Sequence, residues 1–134
     1  MSMRIFDIAG SAMSAQSARL NTVASNLANA DSVATTADGA YKARLPVFKT
    51  LQQPGETDAA GVQVLGIVES QKAPEKRYEP GHPLADAEGY VFAPSVNVVE
   101  EMVNMISASR SYQSSVDVMN TAKELAMRTL TLGK

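Results

Sequence analysis

Apolar residues recur in alternating steps of three and four through the first part of the chain, at Phe6, Ala9, Met13, Leu20, Val23, Leu27 and Ala30. That spacing lines them along one stripe of an α-helix, and Gln16 is the polar member that interrupts it. Small residues crowd the stripe, among them Ala12, Ala15, Ala18, Ala24 and Ala28, so a second helix can approach closely. No proline stands before Pro46, and the spacing predicts a helix over 3–30, ~42 Å long. The far end repeats the pattern. Val98, Met102, Met105, Ser109, Tyr112, Val116, Met119, Lys123, Ala126 and Leu130 keep the same alternation, and Val99, Val103 and Ile106 widen the stripe. Pro94 precedes it and Gly133 follows it, which predicts a second helix over 97–131, ~52 Å long.

Between them the pattern changes. All 6 prolines and six of the 8 glycines fall between 33 and 96. "AYKARLPVF" and "GVQVLGIVES" carry β-branched and aromatic residues in strand-like runs, and "ADG", "QPGE", "EPGHP" and "AEG" are turn signals. Thr35 to Gly39 and Pro54 to Gly61 read as exposed loops. The fold class that follows is α+β. Long N- and C-terminal helices pack as a coiled-coil-like hairpin, with a small β-rich domain inserted between them. Residues 1–32 and 97–134 form a discontinuous helical assembly domain, and 33–96 the insert.

The energetics of this arrangement point outward. Burying a Leu or Val contributes ~1.5–3 kcal/mol, while ordering a residue costs ~1–2 kcal/mol of backbone entropy. Two helices sharing one seam are therefore marginal alone and make sense if copies or relatives cover their other faces. In a free subunit the insert is then the part expected to fold, with the helices ordering on assembly.

Composition narrows the function classes. With 134 residues, 45% of them hydrophobic, the chain suits one ordinary domain with a packed core. The net charge is -2 and no Lys/Arg cluster exists, so phosphate-driven nucleic-acid binding is not expected. No apolar run approaches the ~20 residues that span a bilayer, so no membrane insertion is expected. The absence of cysteine removes disulfides, thiolate metal sites and cysteine nucleophiles. Asp7 and Gly10 interrupt what would be the apolar stretch of a cleavable signal peptide, with Arg4 as a thin basic start. The expected location is the cytoplasm, or outside it by an export route that reads no such signal.

Candidate chemistry is sparse. His82, the only histidine, sits in the turn "PGHPL", where a lone imidazole makes no multi-histidine metal site. Asp86 and Glu88 lie nearby, and this cluster is the one place for acid–base chemistry. Glu100 and Glu101 suit a helix N-terminus, where negative charge is favoured. Met102, Met105, Met119 and Met127 stand at helical spacing and read as packing. There is no phosphate-binding glycine loop. No cofactor, no metal and no enzymatic activity are expected. Arg110, flanked by serines, reads as an inter-subunit hydrogen-bonding residue.

The stretch "LNTVASNLANADS" is the most specific feature. It resembles the signature of the bacterial flagellar rod, hook and axial protein family, where a heptad helix ends in an Asn-rich turn. "IFDIAGSAMSAQSARLN", "YEPGHPLADAEGYV" and "VEEMVNMISASRSYQSSVDVMNTAKELAMRTLTLGK" resemble proximal-rod members of that family. The continuation "ADSVATTADGAYKA" departs from the Asn-Thr-x-Gly-Tyr-Lys of hook-like members. The resemblance implies a structural subunit of the periplasmic driveshaft, exported by the type III export apparatus without a cleaved signal. It implies assembly with other rod proteins and with the basal-body adaptor at the rod base. The assembly seams that the spacing gives are Phe6, Met13, Leu20, Val23 and Leu27 on the first helix, and Val98, Met102, Met105, Tyr112, Val116, Met119 and Leu130 on the second. Asn26, Asn29 and Arg110 are the implied motif and inter-subunit residues. In heptad terms Asn26 flanks the seam, within reach of a partner helix, and Asn29 faces away, where it caps the helix or bonds a neighbour. Two other classes stay open on the residues alone: a peptidoglycan-active enzyme built on His82, Asp86 and Glu88, and a secreted effector or translocator.

Overall fold

The computed structural model describes residues 2–52, 54–55 and 60–133. Within the loop expected over Pro54 to Gly61, 56–59 lie outside the described residues, and Gly61 already belongs to a strand. The elements run α1 (Ser2–Ala28), β1 (Arg44–Leu51), β2 (Gly61–Glu69), β3 (Glu75–Tyr78), β4 (Tyr90–Ala93) and α2 (Val98–Leu132). This is the α+β arrangement of two long terminal helices with small antiparallel sheets between them.

The helices run antiparallel, with Asn26 beside Glu101 at one end and Gly10 beside Met119 further along. Small side chains bring them together. Ala9 and Val23 on α1, with Ala30 just beyond it, are buried, as are Glu101, Ala108 and Ala122 on α2. Phe6, Met13, Leu20 and Leu27 are half-buried on the expected α1 stripe, and the Gln16 side-chain oxygen is enclosed there without a hydrogen-bond partner.

The α2 seam departs from expectation by one residue at every second position. Met105, Tyr112, Met119 and Ala126 are half-buried as the alternation requires. Their companions are Glu101, Ala108, Ser115 and Ala122, in place of Met102, Ser109, Val116 and Lys123. Val98, Met102 and Leu130 are exposed, at 43%, 53% and 71%, while Val116 is half-buried beside the seam. The reason is distance. Alanine and serine let two backbones approach, whereas the larger apolar residues stand at the flank of a contact that has only one partner helix.

Among the described residues the insert contains two separate two-stranded sheets. In the first, β1 pairs antiparallel with β2 from Arg44–Glu69 to Leu51–Gly61, and Leu65 is the extra residue of a bulge opposite Val47 and Phe48. This hairpin lies along α1. At one end the Ser11 hydroxyl accepts the Val62 N–H at 3.1 Å, and a Cβ on Gly61 would stand 3.0 Å from the same oxygen, so glycine permits the approach. At the other end Asn26 holds Arg44. The lengths match: Ser11 to Asn26 spans about 22 Å of helix, and Arg44 to Thr50, opposite Val62, spans about 20 Å of strand. Ala15 and Thr22 lie on the same helix face between the two anchors and are buried.

In the second sheet β3 pairs antiparallel with β4, and Ala34 adds a bridge to Phe92. Val91 and Ala93 are wholly buried, and the Tyr78 and Tyr90 rings meet at 5.1 Å between centroids. Gly89 adopts φ 87° at the turn into β4, and a Cβ there would meet Pro80 and Tyr78 at 3.0 Å.

Candidate assembly interface

Asn26 is 1% exposed, and its side chain joins three separate parts of the chain. Its Nδ2 donates to the Arg44 carbonyl at 2.9 Å and to Glu101 Oε2 at 3.1 Å. Its Oδ1 accepts from the Tyr41 hydroxyl and from the Arg44 N–H, each at 2.8 Å. Two donors and two acceptor lone pairs are the full capacity of an amide, so nothing on this buried side chain is left unsatisfied. By binding both the N–H and the C=O of Arg44, it stands in for a strand neighbour at the start of β1. Tyr41 also meets the Ser25 hydroxyl at 3.0 Å, and its ring lies 5.8 Å from the Arg44 guanidinium carbon. Glu101 contributes its buried carboxylate from the first turn of α2, where Asn97 caps the helix through the Glu100 N–H.

Asn26 is thus committed within the subunit. Asn29 closes α1, donating from Nδ2 to the Ser25 carbonyl at 2.9 Å, while Ser32 donates through its hydroxyl to the Asn29 carbonyl at 2.7 Å. Asn29→Ala is expected to lose about 0.5–1.5 kcal/mol, read as a fall of a few degrees in thermal unfolding, with the fold retained. Arg110 is exposed and makes no ion pair or hydrogen bond with the described residues. The sequence pattern missed Glu101, which looked like simple N-terminal charge, and the role of Tyr41. Nothing in periodicity marks either, although both lie beside motifs that drew notice.

The acid–base cluster is occupied by its own turns. His82 Nδ1 accepts the Leu84 N–H at 3.0 Å, and Asp86 Oδ1 accepts the N–H groups of Glu88 and Tyr90 at 2.9 Å each. Glu88 faces Lys76 at 4.0 Å on the surface. Among the described residues no three His, Asp or Glu side chains gather where a metal ion could sit. No described helix is long and apolar enough to cross a membrane.

What the fold leaves open is apolar surface. On α2, Val99, Met102, Val103 and Ile106 stand at i, i+3, i+4 and i+7, 53–70% exposed. An apolar crevice of about 400 Å³ opens between Ile5, Ile8, Ala9 and Ala12 of α1 and Ser114, Ser115 and Val118 of α2. On the hairpin, the register puts Leu45, Val47, Leu51 and Val68 on one face, each at least 36% exposed. A monomeric protein rarely carries so much apolar surface in stripes, and such stripes mark contact with other chains.

Both ends of the chain match known protein families. A family described as flagella basal body rod protein matches residues 6–34, and one described as flagellar basal body rod FlgEFG protein C-terminal matches 87–132. These segments hold Asn26 and Glu101 respectively. The flagellar basal-body rod protein FlgC of Salmonella typhimurium (strain LT2) is 57% identical over 133 residues, covering 98% of each chain. The protein of the same name from Escherichia coli O157:H7 is 55% identical over 132 residues, again 98% of each. That of Buchnera aphidicola subsp. Acyrthosiphon pisum is 42% identical over 134 residues, also 98% of each. Likeness of this extent, running through both helices and the segment between them, establishes that the chain belongs to the flagellar basal-body rod protein family.

Proposed function

We propose that this chain is a subunit of the proximal part of the flagellar rod, held in that shaft by neighbours that cover its exposed apolar stripes. Membership of the rod family makes it a structural component of the basal body. The observation that carries the finer reading is the division of labour on α2. Small residues make the internal seam, and Val99, Met102, Val103 and Ile106 face outward. Other rod proteins are the partners proposed for these faces, with the basal-body adaptor below them. The subunit is proposed to reach the periplasm through the type III export apparatus with its N-terminal segment intact. Arg110 and the seam-flanking residues Val98, Val116 and Leu130 belong to the same proposed contact surface.

Isolated basal bodies test this. The protein should co-purify with the rod, and mass spectrometry should find it beginning at Met1 or Ser2; a start ten or more residues later would point to a cleaved leader instead. His82→Ala removes only a turn contact, so motility should stay at the wild-type level and purified protein should release no fragments from peptidoglycan. Loss of motility with a normally assembled rod would return attention to His82 and Asp86 as reactive groups.

A further inference from the structure

The Asn26 site is built from residues that lie far apart in the chain, and each part is incomplete without the others. Asn26 comes from α1, Tyr41 and Arg44 from the entry to the hairpin, and Glu101 from α2. Remove α2 and one Nδ2 hydrogen loses its acceptor. Remove the hairpin and Oδ1 loses both donors, while Nδ2 loses the Arg44 carbonyl. Neither partial structure has much else to rely on. A two-stranded hairpin is marginal by itself, and most of β1 and β2 is exposed. The helix seam is narrow and built of small side chains. No other side chain replaces the amide. Aspartate offers no donor and sets a second carboxylate against Glu101, leucine takes one hydrogen bond from each of four groups, and glutamine is a methylene too long.

We propose that Asn26 is a latch that makes docking of β1–β2 on α1 and pairing of α1 with α2 a single cooperative event. The insert then does not fold ahead of the helices. Hairpin and helix pair order together, so a subunit is either open along its whole length or closed along it, with no state in which a finished hairpin waits beside unpaired helices.

The test uses the full chain, held monomeric by dilution and checked by sedimentation. Hydrogen exchange is followed amide by amide while trimethylamine N-oxide, an osmolyte that favours folded states, is titrated in. The amides of β1–β2, of 15–26 in α1 and of 101–112 in α2 should gain protection at one common osmolyte concentration. Asn26→Asp should move that midpoint upward for all three and lower their protection by roughly 10- to 100-fold at a fixed concentration. Adding Glu101→Gln to it should recover part of the loss in all three, because the new amide at 101 can donate to the new carboxylate at 26. Should Asn26→Asp stay open throughout, Tyr41→Phe removes one donor only and should shift the three segments together by a smaller amount. Protection of the hairpin at a lower osmolyte concentration than the helices would overturn the proposal, as would either variant loosening the hairpin while leaving α2 unchanged.

Discussion

Ala108→Leu is expected to lower the thermal midpoint of the subunit by roughly 5 °C or more, whereas Ser109→Leu, one residue along, leaves it in place. Ala108 is fully buried on the α2 seam, and Ser109 is exposed. A leucine at 108 has no room, so the helices must part or the side chain must leave its preferred rotamer, at a cost of about 1–3 kcal/mol. At 109 the same leucine lies in solvent and slightly improves helix propensity. Circular dichroism melting of both variants beside the parent, in trimethylamine N-oxide at a concentration that closes the parent, decides the matter. A destabilised Ser109→Leu with an unchanged Ala108→Leu would restore the seam drawn from apolar spacing alone and contradict the packing described above.

The second large effect concerns assembly without folding. Replacing Met102, Val103 and Ile106 together by serine should leave the melting temperature within a few degrees of the parent, since all three are more than half exposed in the subunit. If neighbours bury them in the rod, each lost side chain removes about 1.5–3 kcal/mol of burial. The sum exceeds what a repeated contact can lose and still form, so motility should vanish and the variant should be missing from purified basal bodies. Normal rods built from the triple variant would show that this face meets water there, and that contact is made through the α1–α2 crevice or the hairpin instead.

Much of the fold was legible because long helices announce themselves. Leu20, Val23 and Leu27 repeat at the period of a helix for many turns, and prolines bound the region where that period fails. The strands β1 and β2 showed through their β-branched runs. β3, with the sequence Glu-Lys-Arg-Tyr, has no such signal; it is a strand because β4 pairs with it, and β4 is held by burial of Val91 and Ala93. The seam on α2 was half legible for a related reason. Spacing reveals which residues are apolar, but which of two adjacent stripes is buried depends on how close the partner backbone comes, and that favoured Ala108 and Ala122 over Met102 and Val116. Asn26 was visible as an oddity, since asparagine is a poor residue inside a helix. Its partners were not, because Arg44 is bound through its backbone and Glu101 only through tertiary packing.

The two anchors of the hairpin on α1, at Ser11 and Asn26, also set how the subunit responds to load. A single helix under bending or twisting yields along its length. A helix fastened at two separated points to a hydrogen-bonded pair of strands cannot curve between them unless those strands stretch or slide. Sliding is resisted as well, because the Leu65 bulge pins the register and a shift of one residue would turn the side chains of the shifted strand to the opposite face. The hairpin therefore acts as a splint. It transfers shear from one end of α1 to the other, so that a subunit placed in a turning shaft behaves as a braced beam.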